Sequence, residues 1–186
     1  NEPQGLVVSP DGRNVYVTSH AALAPFPART ERGVTTLARN PKTGELTYVT
    51  HDDLCDSSGC GTTTFAVPGD VAVSADGRHA YVLHGAQVFV LARGPGSGAL
   101  GRTPGAHWEG GRPLFGSSSL LVSPDGRHVY VTSYSYFGGI VILSRNPETG
   151  ALTRASGTGS CVGFAEDRGA CAEGGEGLVG SFQVPI

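Results

Sequence analysis

The sequence predicts an all-β fold, a β-propeller made of four-stranded antiparallel blades, and three observations predict it. One strand–turn–strand unit occurs three times. A second, different turn recurs at the same place after each unit. The composition suits short strands joined by tight turns, with 29 Gly among 186 residues and apolar runs rich in Val, Thr and Tyr.

The first unit is Val8-Ser9-Pro10-Asp11-Gly12-Arg13-Asn14-Val15-Tyr16-Val17-Thr18. The second is Val73-Ser74-Ala75-Asp76-Gly77-Arg78-His79-Ala80-Tyr81-Val82-Leu83, and the third is Val122-Ser123-Pro124-Asp125-Gly126-Arg127-His128-Val129-Tyr130-Val131-Thr132. Pro presets φ in the turn, Asp can accept from its own backbone, and Gly takes the φ > 0 position that closes the hairpin. The second turn is Arg39-Asn40-Pro41-Lys42-Thr43-Gly44, then the degenerate Arg93-Gly94-Pro95-Gly96-Ser97-Gly98, then Arg145-Asn146-Pro147-Glu148-Thr149-Gly150. Each follows an apolar third strand and precedes a short fourth one, expected over Glu45–Thr50, Ala99–Thr103 and Ala151–Ala155.

Residues 1–186 therefore read as one propeller segment. Blade 1 covers about 4–50, blade 2 about 69–103, blade 3 about 117–155, and residues 180–186 match the first strand of a fourth. The repeated aspartates, at positions 11, 76 and 125, are unevenly spaced, as insertions between fixed strands would make them. A β-sandwich gives no reason for the same hairpin to recur. Three blades do not close a ring, so the propeller is expected to be partial, as part of a longer chain, or completed by association of copies.

The Ser-Pro-Asp-Gly-Arg turn, the Val-Tyr-Val-Thr-Ser strand and the Arg-Asn-Pro-x-Thr-Gly turn resemble those of bacterial lactonase-like β-propellers. They equally resemble the related surface repeats named for a Tyr-Val-Thr-Asn strand. Ser19 and Ser133 stand where the surface repeat has Asn, and the second repeat reads Leu83-His84. The resemblance covers nearly the whole chain and implies a propeller fold. It also implies hydrolysis of a sugar lactone as an alternative function.

The net charge is −3 with both signs dispersed, so no basic footprint for nucleic acid is present, and no membrane span is expected. Four cysteines allow three connectivities. The local pairs Cys55 with Cys60 and Cys161 with Cys171 are expected as disulfides because each brackets one Gly-rich loop, with free thiols as the alternative. Disulfides imply an extracellular, cell-surface or periplasmic location.

Up-and-down topology places both families of tight turns on one rim and all the long connections on the other. Long loops on a rigid scaffold are where binding groups usually sit. That rim carries His20, His51, Asp52, His84 and Trp108, with the aromatic loop Tyr134, Tyr136 and Phe137. The histidines come from different loops without metal-ligand spacing, and no metal or other cofactor is expected. Trp108 has two readings, a contact for a partner or a plug between blades. Asp11, Asp76 and Asp125 recur in every turn and read as structural.

No nucleophile elbow, phosphate-binding loop or nucleotide fingerprint appears. The expected function is a secreted or cell-surface propeller acting as a binding, scaffold or assembly module through its long-loop rim. Its partner would be a protein, a carbohydrate or a further copy of itself. Enzymatic activity, if present, would be lactone hydrolysis, and no catalytic residue can be assigned to it.

Overall fold

The computed structural model describes residues 3–19, 33–54, 68–109, 117–133, 139–156 and 161–163. Thirteen strands and no helix lie among the described residues. β1 (Pro3–Val8), β2 (Asn14–Ser19), β3 (Gly33–Arg39) and β4 (Leu46–Asp53) form one antiparallel sheet in that order. β5 (Pro68–Val73), β6 (His79–His84), β7 (Gln87–Arg93) and β8 (Leu100–Glu109) form a second. β9 (Ser117–Val122), β10 (His128–Ser133), β11 (Gly139–Arg145) and β12 (Leu152–Arg154) form a third. The fold is a partial β-propeller of three meander blades, and the described residues close no ring. The expected first strand of a fourth blade, 180–186, lies outside the described residues.

Two fourth strands run further than the sequence suggests. β4 continues to Asp53 and β8 to Glu109, each past an irregular register against its third strand, between Thr36 and Leu37 and between Phe89 and Leu91. A bulge adds twist and lets pairing resume, so residues beyond it join the sheet rather than a loop. β12 is short, and β13 (Cys161–Gly163) takes the remaining edge of β11, pairing Val141 with Cys161.

Alternation along β6 and β7 explains why both read as nearly continuous apolar runs. Val71, Ala80, Val82, Phe89 and Leu91 face blade 1, where they pack with Tyr16 and Val34. Ala72, Tyr81, Leu83, Val88 and Val90 face blade 3, where they meet Leu120, Val129, Val131, Val141 and Leu143. A middle blade is buried on both faces, so period-two polarity disappears from its central strands.

The Ser-x-Asp-Gly hairpin has the same wiring in each blade. Gly12 N donates to Ser9 O at 2.8 Å, and Gly12 takes φ 70°, the left-handed conformation that such a turn demands. The buried Ser9 hydroxyl donates to Asp11 Oδ1 at 2.6 Å and accepts from Asn14 N at 2.9 Å. Ser74 with Asp76 and His79, and Ser123 with Asp125 and His128, repeat this arrangement. One oxygen of each aspartate is thereby spent on its own turn.

In blades 1 and 2 the other oxygen meets an arginine of the next blade. Arg93, at the end of β7, donates from Nη2 to Asp11 Oδ2 at 2.7 Å and to Asn14 Oδ1 at 2.8 Å, and from Nε to the Tyr16 hydroxyl at 2.6 Å. Its Nη1 donates to Gly77 O within its own blade at 3.2 Å. The Tyr16 hydroxyl donates onward to Gly98 O at 2.7 Å. Arg145 repeats the latch on blade 2. It donates to Tyr81 Oη at 2.7 Å, Asp76 Oδ2 at 2.8 Å, His79 Nδ1 at 2.9 Å and Gly126 O at 2.9 Å. Tyr81 donates to Gly150 O at 3.0 Å. Because guanidinium only donates, His79 Nδ1 must be the unprotonated nitrogen. Gly98 and Gly150 have a second reason to be glycine besides φ near 75°: a Cβ would lie 2.1 Å from Asn14 Oδ1 and 2.4 Å from His79 Cδ2.

The planar fork of Arg145 serves four acceptors at once, which an ammonium cannot do. Arg145→Ala is expected to lower stability by about 3 kcal/mol, with Arg145→Lys recovering little, and Tyr81→Phe by about 1 kcal/mol. Urea unfolding midpoints check both. The latch also has pH windows. Burial, followed by the Arg145 charge, holds the His79 pKa below its usual 6.5. The unfolded chain then binds the proton first, so this contribution is present above pH 6.5 and is lost as pH falls below it. His79→Asn, the residue blade 1 uses, should remove that slope. Burial raises the Asp76 carboxyl, but hydrogen bonds from Ser74, Arg78 and Arg145 outweigh it and hold the pKa at about 2. Its contribution is present above 3.8 and fades as pH falls towards 2.

Candidate functional site on the long-loop rim

With the tight turns and latches on one rim, the opposite rim receives the β2–β3 and blade-to-blade connections. Two polar groups stand there along the seam between blades 1 and 2, held by the same apolar cluster of Val34, Leu54, Val82 and Phe89.

The first group lies on β4. Extension past its bulge pairs Thr35 with His51, Val34 with Asp52 and Gly33 with Asp53. His51 and Asp53 share a face by strand alternation, and Asp52 takes the face of Val34, towards blade 2. His51 Nδ1 is 3.0 Å from Thr35 Oγ1, its Nε2 is 3.2 Å from Asp53 Oδ1, and its side chain is only 2% exposed. Gly33 makes room for it, since a Cβ there would sit 2.8 Å from His51 Nε2 and 2.3 Å from Asp52 O. Nδ1 holds the covered ring to the sheet through Thr35, whereas the approach of Nε2 to Asp53 lacks hydrogen-bond geometry. Asp52 Oδ2 is likewise buried with no hydrogen-bond partner among the described residues. Burial first, then the neighbouring Asp53 charge, raises its pKa from 3.8 to about 6.

The second group lies on blade 2. His84 is 1% exposed and meets Phe89 edge-on at 5.7 Å, while His107 lies against Phe89 at 5.7 Å in a tilted arrangement. The Arg102 guanidinium stands 5.5 Å from the Phe89 ring centre. Glu109 Oε1 accepts from Gln87 Nε2 at 3.1 Å and lies 3.2 Å from His107 Nε2. His107 and Glu109 are open to solvent, and His84 is not.

Of the residues singled out in the sequence, the structure brings His51 and Asp52 together on β4 and places His84 across the seam on β6. Trp108 sits on β8 opposite Val88 and packs against the core between blades 2 and 3. Cys161 is buried in that same core, and no cysteine among the described residues is free. His20, Tyr134, Tyr136, Phe137, Cys55, Cys60 and Cys171 lie outside the described residues. No cluster of three metal-ligating side chains occurs among the described residues. No helix long and apolar enough to cross a membrane occurs among the described residues.

Sequence reasoning missed Asp70. It is the third residue of β5, the inner strand of blade 2, where the other repeats have Gly5 and Ser119. Its Oδ2 accepts from Ser119 Oγ at 2.7 Å and Leu120 N at 2.9 Å, and its Oδ1 from Val71 N at 2.9 Å. Thr18 closes the other side, donating to Gly69 O at 3.1 Å and accepting from Gly5 N at 2.8 Å. An acid in one repeat at a position the others fill with small residues was the available signal.

No protein-family model and no curated protein matches the chain. Solved structures do. A candidate 6-phosphogluconolactonase from Bacteroides uniformis aligns with TM-score 0.63 at 19% identity, over 82% of this chain and 39% of that one. A second, from Bacteroides fragilis, aligns with TM-score 0.57 at 18% identity, over 82% of this chain and 40% of that one. These likenesses establish the fold. The chain spans about two fifths of the length of either structure.

Among the described residues of this rim, Asp52 is the side chain whose charging its surroundings oppose. Its folded pKa is raised, so the folded state holds the proton more tightly. Its favourable contribution is full below pH 3.8 and is lost as pH rises through about 6. Asp52→Asn should therefore stabilise the protein at pH 7 by about 1 kcal/mol, allowing for solvent screening, with no gain at pH 3.5. Denaturant melts at the two pH values provide the check.

Proposed function

We propose that the protein is a secreted or cell-surface β-propeller module that binds a protein or carbohydrate partner through its long-loop rim. The observation that carries this reading is the segregation of the two rims. One is consumed by turn wiring and arginine latches. The other carries the half-buried carboxylate Asp52 and the solvent-open pair His107 and Glu109, and the sequence places the aromatic segment Tyr134, Tyr136 and Phe137 in a connection expected there. Local disulfides, Cys55 with Cys60 and Cys161 with Cys171, would pin these connections and suit an oxidising compartment. The burial of Cys161 supports the second pair.

Lactone hydrolysis is the second reading, favoured by the likeness to the two Bacteroides structures. Opening a lactone needs a base to activate water and a donor for the developing oxyanion. The burial of His51 argues against that imidazole as the base, since its ring is covered from solvent and Nδ1 is held by Thr35. Asp52, with a pKa about 6, is the better-suited group.

Turnover of sugar lactones separates the two readings. On the binding reading, lactone opening stays at background in wild type and in Asp52→Asn, His51→Ala and His84→Ala alike. Opening above background that Asp52→Asn or His51→Ala abolishes would replace binding with hydrolysis. For the disulfides, intact mass should rise by four hydrogens on reduction, and an unchanged mass removes the argument for an oxidising compartment.

A further inference from the structure

The fourth strands of blades 1 and 2 carry the same polar pair past their bulges. Thr35 pairs with His51 and Gly33 with Asp53 in blade 1, as Phe89 pairs with His107 and Gln87 with Glu109 in blade 2. Strand alternation sets each histidine and the acid two residues on along one face. In both blades the imidazole Nε2 stands 3.2 Å from a carboxylate oxygen. The two copies differ in kind. His107 Nε2 and Glu109 Oε1 are aligned as a hydrogen bond open to solvent. His51 Nε2 is enclosed, on a side chain 2% exposed, and makes no hydrogen bond among the described residues.

Thr35 sets what that nitrogen can offer. Its Oγ1 lies 3.0 Å from Nδ1, and when the hydroxyl accepts from Nδ1–H, Nε2 presents a lone pair. That lone pair then stands beside a carboxylate oxygen, an arrangement that repels until a cation joins the two. Two ligands each about 2.1 Å from a shared ion are roughly 3 to 3.4 Å apart, the spacing found here. An imidazole tied through its other nitrogen is also the usual state of a metal-bound histidine. Gly33 leaves the space, since a Cβ there would meet Nε2 at 2.8 Å and crowd Asp52 O. All of these groups belong to β3 and β4, so the arrangement does not depend on what neighbours blade 1.

We propose that His51 Nε2 and Asp53 Oδ1 bind a divalent transition-metal ion of the zinc class, with Thr35 as the positioning residue for the imidazole. A nitrogen donor beside an oxygen donor selects such an ion over calcium or magnesium, which take oxygen alone. Two side chains leave the remaining positions to water and backbone carbonyls. The ion would brace the end of β4 after its bulge, where the connection to blade 2 begins, whatever the long-loop rim binds.

The test uses the purified protein, dialysed against a chelator and then titrated with zinc chloride by calorimetry and with cobalt chloride by visible absorption. Wild type is expected to take one ion per chain and to melt at a higher temperature with zinc than without. His51→Ala and Asp53→Asn should each weaken zinc binding by about a hundredfold or more, and Thr35→Val by about tenfold with a shifted cobalt band. Thr35→Val keeps both ligands, so it guards against misfolding of the buried His51 variant, and the cobalt band reports ligand geometry rather than stability. A wild type that takes up neither ion overturns the proposal. So does zinc binding that survives His51→Ala and Asp53→Asn, or that His107→Ala abolishes instead, which would put the ion on blade 2. If His51→Ala loses the wild-type circular dichroism, zinc affinity and a cobalt band unchanged in Thr35→Val overturn it.

Discussion

The guanidinium that crosses from one blade to the next is the interaction on which this structure depends. Each sheet is a meander that can form from local hairpins, but nothing local sets one sheet against another. Arg93 and Arg145 do so by combining an ion pair, a tyrosine hydroxyl and a carbonyl in one plane. The apolar seams supply most of the driving force, at about 25 cal/mol per Å² of buried apolar surface. They are not directional. Hydrogen bonds of the latch fix how far and at what angle the blades approach, and the glycines at 98 and 150 exist to let that approach occur.

This constraint divides the molecule into a rim committed to architecture and a rim left available. In blades 1 and 2 the aspartates, asparagine, histidine and tyrosine near the tight turns are all engaged, although any of them in isolation has the chemistry of a site. On the other rim the engaged groups are His51 and Asp53, whereas Asp52 and the pair His107 and Glu109 face the seam or solvent. Functional interest therefore follows from what the latch leaves over. That distinction also orders the two readings of the protein, since a covered imidazole held by Thr35 suits positioning better than proton transfer.

The turns were legible in the sequence because their chemistry is local. A Ser-Pro-Asp-Gly stretch specifies its own hydrogen bonds within five residues, and three repetitions reveal the blade. The second role of the aspartate was not legible, since the arginine it meets lies 82 residues away for Asp11 and 69 for Asp76. His79 read as a repeat position and is one, but its stacking on Gly150 comes from the neighbouring blade. His51 and Trp108 read as loop residues, and the sheet claims both, because a bulge lets β4 and β8 resume pairing where propensity alone would end them. Asp70 was hidden for another reason: its partners Ser119 and Leu120 belong to a different inner strand.

By itself the sequence determined the all-β class, the four-stranded blade, the positions of the tight turns and the sorting of connections onto two rims. All of these follow from period-two alternation and turn chemistry, which act over a few residues. Tertiary structure decided which polar groups are consumed between blades, which carboxylate is half-buried with its pKa raised, and where Trp108 packs. Those outcomes depend on surfaces distant in sequence meeting at a set angle, and only the stacked sheets create that geometry.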